Sequence, residues 1–377
     1  MRHGRVFKRG ATWSFTVDVQ VPGAPRKQRT KAGFASKSEA LRGMHEVQES
    51  LRVGRYVEPS RLSLGTFLTT MWLPAARATV RATTWDSYEA YIRLYVVPRI
   101  GELPLQSISR GQLMIFYGEL EQNGRIRRTG GLSSKTVHNI HVTLLKAFGD
   151  ALEDQLIARN PATRAHRTTV DRPVMTTWSA TQVRTFLRQV REDRLFALWR
   201  LAVTTGMRRG ELLGLRWRDI DHNAAQLAVV QTLLKAGGTT FFSGPKTQRS
   251  RRTIALDPVT LEALRRHRSR QSAERLALGE AYADHELVFC FTDGKPLDPD
   301  GVRLRFARHV REAGLPKIRL HDLRHTHATL GLMADVHPKV MQERLGHSTV
   351  AFTLDIYSHA VPSMQEQAAN KVAALFD

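Results

Sequence analysis

Near its C-terminal end the chain reads His321-Asp322-Leu323-Arg324-His325, then Leu345-Gly346-His347, then Asp355-Ile356-Tyr357. Far upstream lies Thr205-Gly206-Met207-Arg208-Arg209-Gly210-Glu211. Arginines, histidines and a tyrosine in this order suit attack on a phosphodiester without a metal. Arginine offers a planar, permanently charged fork that fits phosphate oxygens. Tyrosine supplies a hydroxyl that can hold a covalent phosphoryl group. Its pKa near about 10 leaves it protonated at neutral pH, so a proton acceptor and nearby positive charge must assist. Histidine can move that proton. Attack builds negative charge on the non-bridging oxygens, and fixed cationic donors stabilise that state more than the ground state. Arg208 and Arg324 are the candidates for this clamp. Glu211 lies one helical turn after Arg208 and is expected to orient its guanidinium; the plainer alternative is a surface ion pair.

The order Arg, Lys, His-x-x-Arg, His, Tyr is carried by Arg208, Lys246, His321 with Arg324, His347 and Tyr357. This set resembles the tyrosine recombinase family, in its phage or mobile-element integrase branch. The resemblance implies that Tyr357 is the nucleophile, forming a 3′-phosphotyrosine link and freeing a 5′-hydroxyl. It implies that His321 takes the tyrosine proton or bonds the phosphate, and that His347 contacts a non-bridging oxygen. Lys246, in Gly244-Pro245-Lys246-Thr247 between two expected strands, would protonate the leaving 5′-oxygen, with Lys235 as a competitor. Arg209 matches a non-catalytic position, expected to contact DNA or solvent. The implied function is integration and excision of a phage or mobile element. The implied partners are double-stranded attachment sites of core and arm type, a homotetramer on DNA, a directionality factor and a host DNA-bending protein. No cofactor is implied. The tail 364–376, with Ala368, Val372, Ala373, Leu375 and Phe376, would dock on a neighbouring subunit or pack on its own domain.

Competing readings are a type IB-like topoisomerase, which shares the chemistry, and a non-catalytic DNA-binding architectural protein. The integrase-like spacing and the complete catalytic set argue against them. A serine recombinase does not fit an order built around tyrosine. His321 and His325 stand four apart, a spacing that also suits zinc, but no HExxH or acidic cluster accompanies them, and no metal is expected. No phosphate-binding GxxxxGK[ST] loop occurs.

Composition points the same way. Among 377 residues, 57 Lys and Arg face 35 Asp and Glu, a net charge of +22 that calls for a polyanionic partner. No apolar run approaches the ~18–20 residues of a spanning helix, and no apolar stretch follows the basic N-terminus as a secretory signal requires. Cys290 is the one cysteine, so no intrachain disulfide forms; it reads as a packed thiol in a buried strand over 287–291. A bacterial cytoplasm, beside the nucleoid, is the natural setting.

The elements that must position these residues follow from periodicity. The expected class is multidomain, mainly α with small β-sheets. Residues 1–58 read as an arm-type DNA-binding domain. There Trp13, Phe15, Val17 and Val19 alternate as a strand between turns at Gly10 and Pro22-Gly23, and Ser36 with Glu39 opens a helix reaching about Val53. Residues 1–60 of the chain hold 12 Lys and Arg against 5 Asp and Glu, suiting a sheet face laid into a major groove. Residues 62–160 read as a helical core-binding domain. Leu64, Phe67, Leu68, Met71 and Trp72 mark one helix. Another is capped by Thr84 and stopped near Pro98; further helices carry Leu113, Phe116, Tyr117 and Leu120, then 136–152. A Gly/Arg-rich loop holds Arg125, Arg127 and Arg128, candidate DNA contacts. Residues 161–177 read as an exposed linker whose Arg164, Arg167 and Arg172 touch phosphates. Residues 178–377 form the catalytic domain, with helices from Ser179 and over 195–205, strands at 227–234, 239–242 and 251–256 in one sheet, and helices at 258–278, 300–313, 323–333 and 339–345. If six to ten phosphates are neutralised, DNA affinity is expected to fall on the order of 10³–10⁵-fold between about 50 and 200 mM salt, measurable by a filter-binding salt titration. A flat titration would contradict phosphate-dominated binding.

Overall fold

The computed structural model describes residues 4–19, 27–54, 56–165, 176–244, 251–346, 373 and 376. Lys246, His347, Tyr357, Arg167, Arg172, the Pro22-Gly23 turn and nearly all of the tail lie outside them. The chain divides into two compact units, Met1–Asp171 and Arg172–Asp377.

In the first unit, β1 (Gly4–Arg9), β2 (Thr12–Val19) and β3 (Lys27–Phe34) form an antiparallel sheet in that order. Gly10 takes φ +57° in the β1–β2 turn. Phe15, Val17 and Val19 bury one face of β2 with Met44 of α1 (Lys37–Arg52). The Ser36 hydroxyl accepts the Glu39 N–H at 3.2 Å. The Glu39 carboxylate, however, accepts from Ala35 N–H at 3.0 Å, one residue before the position a capping box predicts.

The helices of this unit surround a second core. α2 (Leu64–Thr66) runs through a π-helical turn, Phe67–Trp72, into α3 (Leu73–Thr79). Of the expected stripe only Met71 faces solvent. α4 (Ala82–Tyr91) is capped by Arg81, not Thr84, because the extended backbone ends at Arg81. Nor does Pro98 stop the helix: a π-helical turn, Ile92–Val96, leads into α5 (Val97–Ile100), whose first turn tolerates a residue lacking N–H. α6 (Arg110–Asn123) and α7 (Ser134–Glu153) complete the bundle, and Trp72 Nε1 donates to Asp150 at 2.7 Å across it. Arg125, Arg127 and Arg128 are exposed on the loop between α6 and α7. Residues 161–165 correct the linker expectation. Ala162 and Ala165 are buried in the bundle core, and Asn160 pins the turn by donating to Leu145 C=O and accepting from Ala162 N–H. Arg164 stays exposed, at φ +63°.

The second unit begins with Trp178, whose N–H donates to Thr326 Oγ1 at 3.1 Å and whose indole donates to Pro316 C=O at 2.9 Å. Ser179 and Gln182 form a reciprocal capping box for α8 (Ala180–Gln189). α9 (Phe196–Thr205) and α10 (Arg209–Leu213) follow. The strands depart from expectation. β4 (Ile220–Asp221), β5 (Gln226–Val229) and β8 (Arg252–Ala255) make one antiparallel sheet, while β6 (Thr232–Ala236) and β7 (Thr239–Ser243) make a separate hairpin. The single strand expected over 227–234 breaks at 230–231, where Gln231 turns its amide to donate to Gly214 C=O at 2.7 Å. Gly237-Gly238, both at positive φ, form the two-residue hairpin loop. α11 (Pro258–Leu278), α12 (Pro299–Glu312), α13 (Asp322–Met333) and α14 (Pro338–Leu345) complete the unit. Trp178, Phe186, Trp199 and Phe306 pack ring against ring at its centre. Residues 287–290 are buried but not a strand, and Phe291 is exposed; Leu287 and Cys290 make isolated bridges, to Arg216 and Pro296. The Cys290 thiol is 1 % exposed and accepts from Gln271 Nε2 at 2.8 Å. Among the described residues no helix is long and apolar enough to cross a membrane.

Candidate active site

The site is built at two glycine corners. Gly206 ends α9 in the left-handed region at φ +63°, and a Cβ there would lie 2.6 Å from a Leu345 methyl carbon. The close turn throws Arg208 to the start of α10. Gly346 ends α14 at φ +66°. Between them stands α13, with His321 at its N-cap and Arg324 one turn further, 3 % exposed.

Three consecutive carbonyls at the end of α14 each accept from a different arginine. Arg344 C=O accepts from Arg252 Nε at 2.8 Å, Leu345 C=O from Arg324 Nη2 at 2.6 Å, and Gly346 C=O from Arg208 Nη2 at 3.3 Å. Cations at a helix C-terminus meet both unpaired carbonyls and the negative end of the helix dipole. Arg324 also donates to Gly206 C=O at 2.8 Å, tying one corner to the other.

Glu211 is the carboxylate beneath. It accepts Arg208 N–H at 2.9 Å and Arg208 Nη1 at 2.8 Å, and the fork of Arg252 at 3.2 and 2.8 Å. Those four bonds fill the acceptor capacity of a carboxylate. Burial pushes its pKa up, but the Arg252 fork and the Arg208 charge outweigh burial and bring it down to about 2. Glu211 side-chain exposure is 4 %, which makes it an internal tie, not a surface pair.

The histidines are held neutral. His321 opens to solvent on one side, yet the protein around its ring, then the charges of His325, Arg324 and Arg208, bring its pKa down to about 4. The His321 and His325 rings meet edge-on at 5.4 Å, and no third metal-binding side chain joins them among the described residues. His327 Nδ1 lies 2.9 Å from Val203 C=O and its Nε2 lies 3.3 Å from Arg344 Nε. That pairing fixes the proton on Nδ1, and burial followed by the Arg344 charge lowers the pKa to about 4.

The structure therefore brings Arg208, Glu211, His321 and Arg324 together. By chain connectivity His347 follows Gly346 directly, and Lys246 lies on the segment joining β7 to β8; their side chains, with Tyr357, fall outside the described residues. Lys235, the competitor, is taken by Asp298 at 2.6 Å and Asp300 at 3.2 Å. Arg209 Nη1 donates to Pro299 C=O at 3.0 Å and joins α10 to α12, while its side chain stays 39 % exposed. The sequence reading missed Arg252 and Arg344. Arg252 carried a signal, since it shares the inward face of β8 with Ile254, where a charge demands a partner.

Two arginines share one buried carboxylate, and two arginines close the corner that ends at Gly346. Comparison with known proteins supplies the class. The phage integrase family matches residues 174–364, its N-terminal SAM-like domain residues 66–120, and an arm DNA-binding domain residues 6–51. The chain belongs to the phage integrase family and is a site-specific recombinase. It is similar to a XerC-like tyrosine recombinase of Caldanaerobacter subterraneus, 29 % identical over 90 % of each chain, and to the ICEBs1 integrase of Bacillus subtilis, 26 % identical over 95 % of this chain and 96 % of that one. In fold it resembles the Tn1549 transposon integrase solved with transposon right end DNA, at TM-score 0.67 and 22 % identity over 81 % of this chain and 99 % of that one. It also resembles a lambda integrase tetramer bound to a Holliday junction, at TM-score 0.56 and 18 % identity over 94 % of each chain.

Glu211→Ala is expected to destabilise the second unit by about 3–5 kcal/mol, because two guanidiniums lose a buried partner. Urea unfolding measures this, and a loss under about 1 kcal/mol would contradict the tie. The histidines fix a pH dependence. Their folded pKa values lie below the unfolded value of about 6.5, so the unfolded chain takes up protons first as pH falls. Stability is then lost between about 6.5 and about 4 and no further below. An NMR titration of the DNA-free protein should place the His321 midpoint near 4, and a midpoint near 6.5 would refute the crowded site.

Proposed function

We propose that Arg208, Lys246, His321, Arg324, His347 and Tyr357 carry the strand-transfer chemistry, with Glu211 in support. The observation that carries this reading is the convergence of Arg208 and Arg324 on the carbonyls of Leu345 and Gly346, immediately before His347. A scissile phosphate set against those guanidiniums and against His347 would have its non-bridging oxygens clamped.

The phenolic oxygen of Tyr357 attacks phosphorus and the bond to the 5′-oxygen breaks. The phenolic proton passes to His321, whose low pKa keeps it an empty acceptor at neutral pH. Lys246 gives a proton to the departing 5′-oxygen. The 3′-phosphotyrosine link conserves the bond energy, so a 5′-hydroxyl from a second duplex reverses the steps and joins the new strand without ATP. Two such exchanges, passing through a Holliday junction, integrate an element, and the reverse excises it.

We assign residues 1–58 to arm-type sites, 62–160, with 161–165 packed on the same bundle, to gripping the core duplex, 166–177 to the link and 178–377 to catalysis. The matched arm DNA-binding, SAM-like and integrase regions support this division. Arg125, Arg127, Arg128 and Arg164, exposed on their loops, suit phosphate contacts, and Arg167 and Arg172 continue the basic run. The working assembly is a homotetramer on DNA in the bacterial cytoplasm, beside the nucleoid, with residues 364–376 docking on the neighbouring subunit. A directionality factor and a host DNA-bending protein set its direction.

Direct repeats bounding the encoding element supply the substrate sequence. On a nicked duplex of that sequence, Tyr357→Phe should bind but form no covalent adduct, and a trapped adduct would refute the nucleophile. Lys246→Ala should cleave about 10²–10⁴-fold more slowly, and a 5′-thiol leaving group, which needs no acid, should restore the rate. Failure of the thiol to restore it would remove Lys246 from the acid role.

A further inference from the structure

We infer that Arg252 is a positioning residue for strand cleavage, setting the Arg208 guanidinium and the Gly346 corner that precedes His347 in one register. This rests on the catalytic assignment above. Arg252 side-chain exposure is 6 %, so it is not placed to take a phosphate itself. Among the described residues it acts through three attachments. Its Nη1 and Nη2 fork the Glu211 carboxylate, which in turn holds Arg208 by backbone and side chain. Its Nε grips Arg344 C=O in the last turn of α14. Its guanidinium also lies against Gly346, where an added Cβ would come within 3.2 Å of Arg252 Nη1. The corner preceding His347 therefore rests on this side chain.

Arg252 opens β8, so its backbone is fixed by the sheet while its side chain reaches the site. One planar side chain thus ties the first clamp arginine, through Glu211, to the corner preceding His347. Lysine reproduces the charge but not two parallel bonds to Glu211 plus a third to a carbonyl. Displacement of a reacting group by about 1 Å costs roughly 10²-fold in rate.

The test uses the full chain and the nicked duplex of the bounding repeats, in two forms: the natural phosphodiester, and a methylphosphonate at the scissile position. The methylphosphonate lacks one non-bridging charge and so depends less on the arginine clamp. Wild type must form an adduct on the phosphodiester and Tyr357→Phe must not; if either fails, the catalytic assignment fails, separately from this inference. With that satisfied, Arg252→Lys should keep the wild-type DNA affinity and a cooperative unfolding transition, at a lowered melting temperature that stays above the assay temperature. It should cleave the phosphodiester about 10–100-fold more slowly, lose most of that defect on the methylphosphonate, and add nothing to the defect of Arg208→Ala. A wild-type rate, an equal defect on both substrates, or full additivity with Arg208→Ala overturns the inference. If Arg252→Lys does not fold, Glu211→Gln, which keeps the shape and weakens the charge holding Arg252, is read on the same two substrates by the same criteria.

Discussion

The site depends on how the end of α14 is closed. A helix leaves its last carbonyls without partners, and here Arg344, Leu345 and Gly346 hand theirs to Arg252, Arg324 and Arg208. The carbonyls orient the guanidiniums without cancelling their formal charge. Of the three bonds, that from Arg208 to Gly346 is the longest, at 3.3 Å, and Arg208 is the most exposed of the three arginines' guanidiniums that Glu211 and the carbonyls hold, at 40 %. The Arg208 guanidinium is therefore held in a fixed aim while part of it stays open to solvent.

Glu211 makes this crowding tolerable. Its buried carboxylate takes both Arg208 and Arg252 and stays ionised because their charges outweigh the cost of burial. Burial, and after it the same positive charges, act on the histidines. His321 and His327 both fall to about 4, so neither adds charge to the cluster at neutral pH. The lowered pKa leaves each ring unprotonated but makes it a weaker base. Arg344, lowered by its own burial, closes the circuit through His327 and Thr204 C=O.

Local pattern was a good guide wherever local forces decide. The helices over 258–278 and 323–333, and the Ser179 cap, follow from apolar spacing and side-chain capping. It was a poor guide where packing overrode propensity. Pro98 lies inside a helical run because a π-helical turn precedes it. The polar-looking residues 161–165 bury two alanines against the bundle. Residues 227–234 break in two because Gln231 satisfies a carbonyl on the neighbouring α10 corner. Arg209, still partly exposed, also braces α10 against α12, a contact no local pattern announces.

Residue types and their order determined the chemistry: a phosphodiester, an arginine clamp, a proton relay and a tyrosine, together with the family that uses them. Side-chain chemistry is a local property, so its signature survives in a linear string. Which arginines are mobile donors and which are fixed supports was decided only by the tertiary structure. Arg208, Arg209, Arg252, Arg324 and Arg344 carry the same charge in the sequence. Their roles diverge because folding brings a carboxylate, a helix terminus or a backbone carbonyl to each, from residues as far apart in the chain as Gly206 and Arg324.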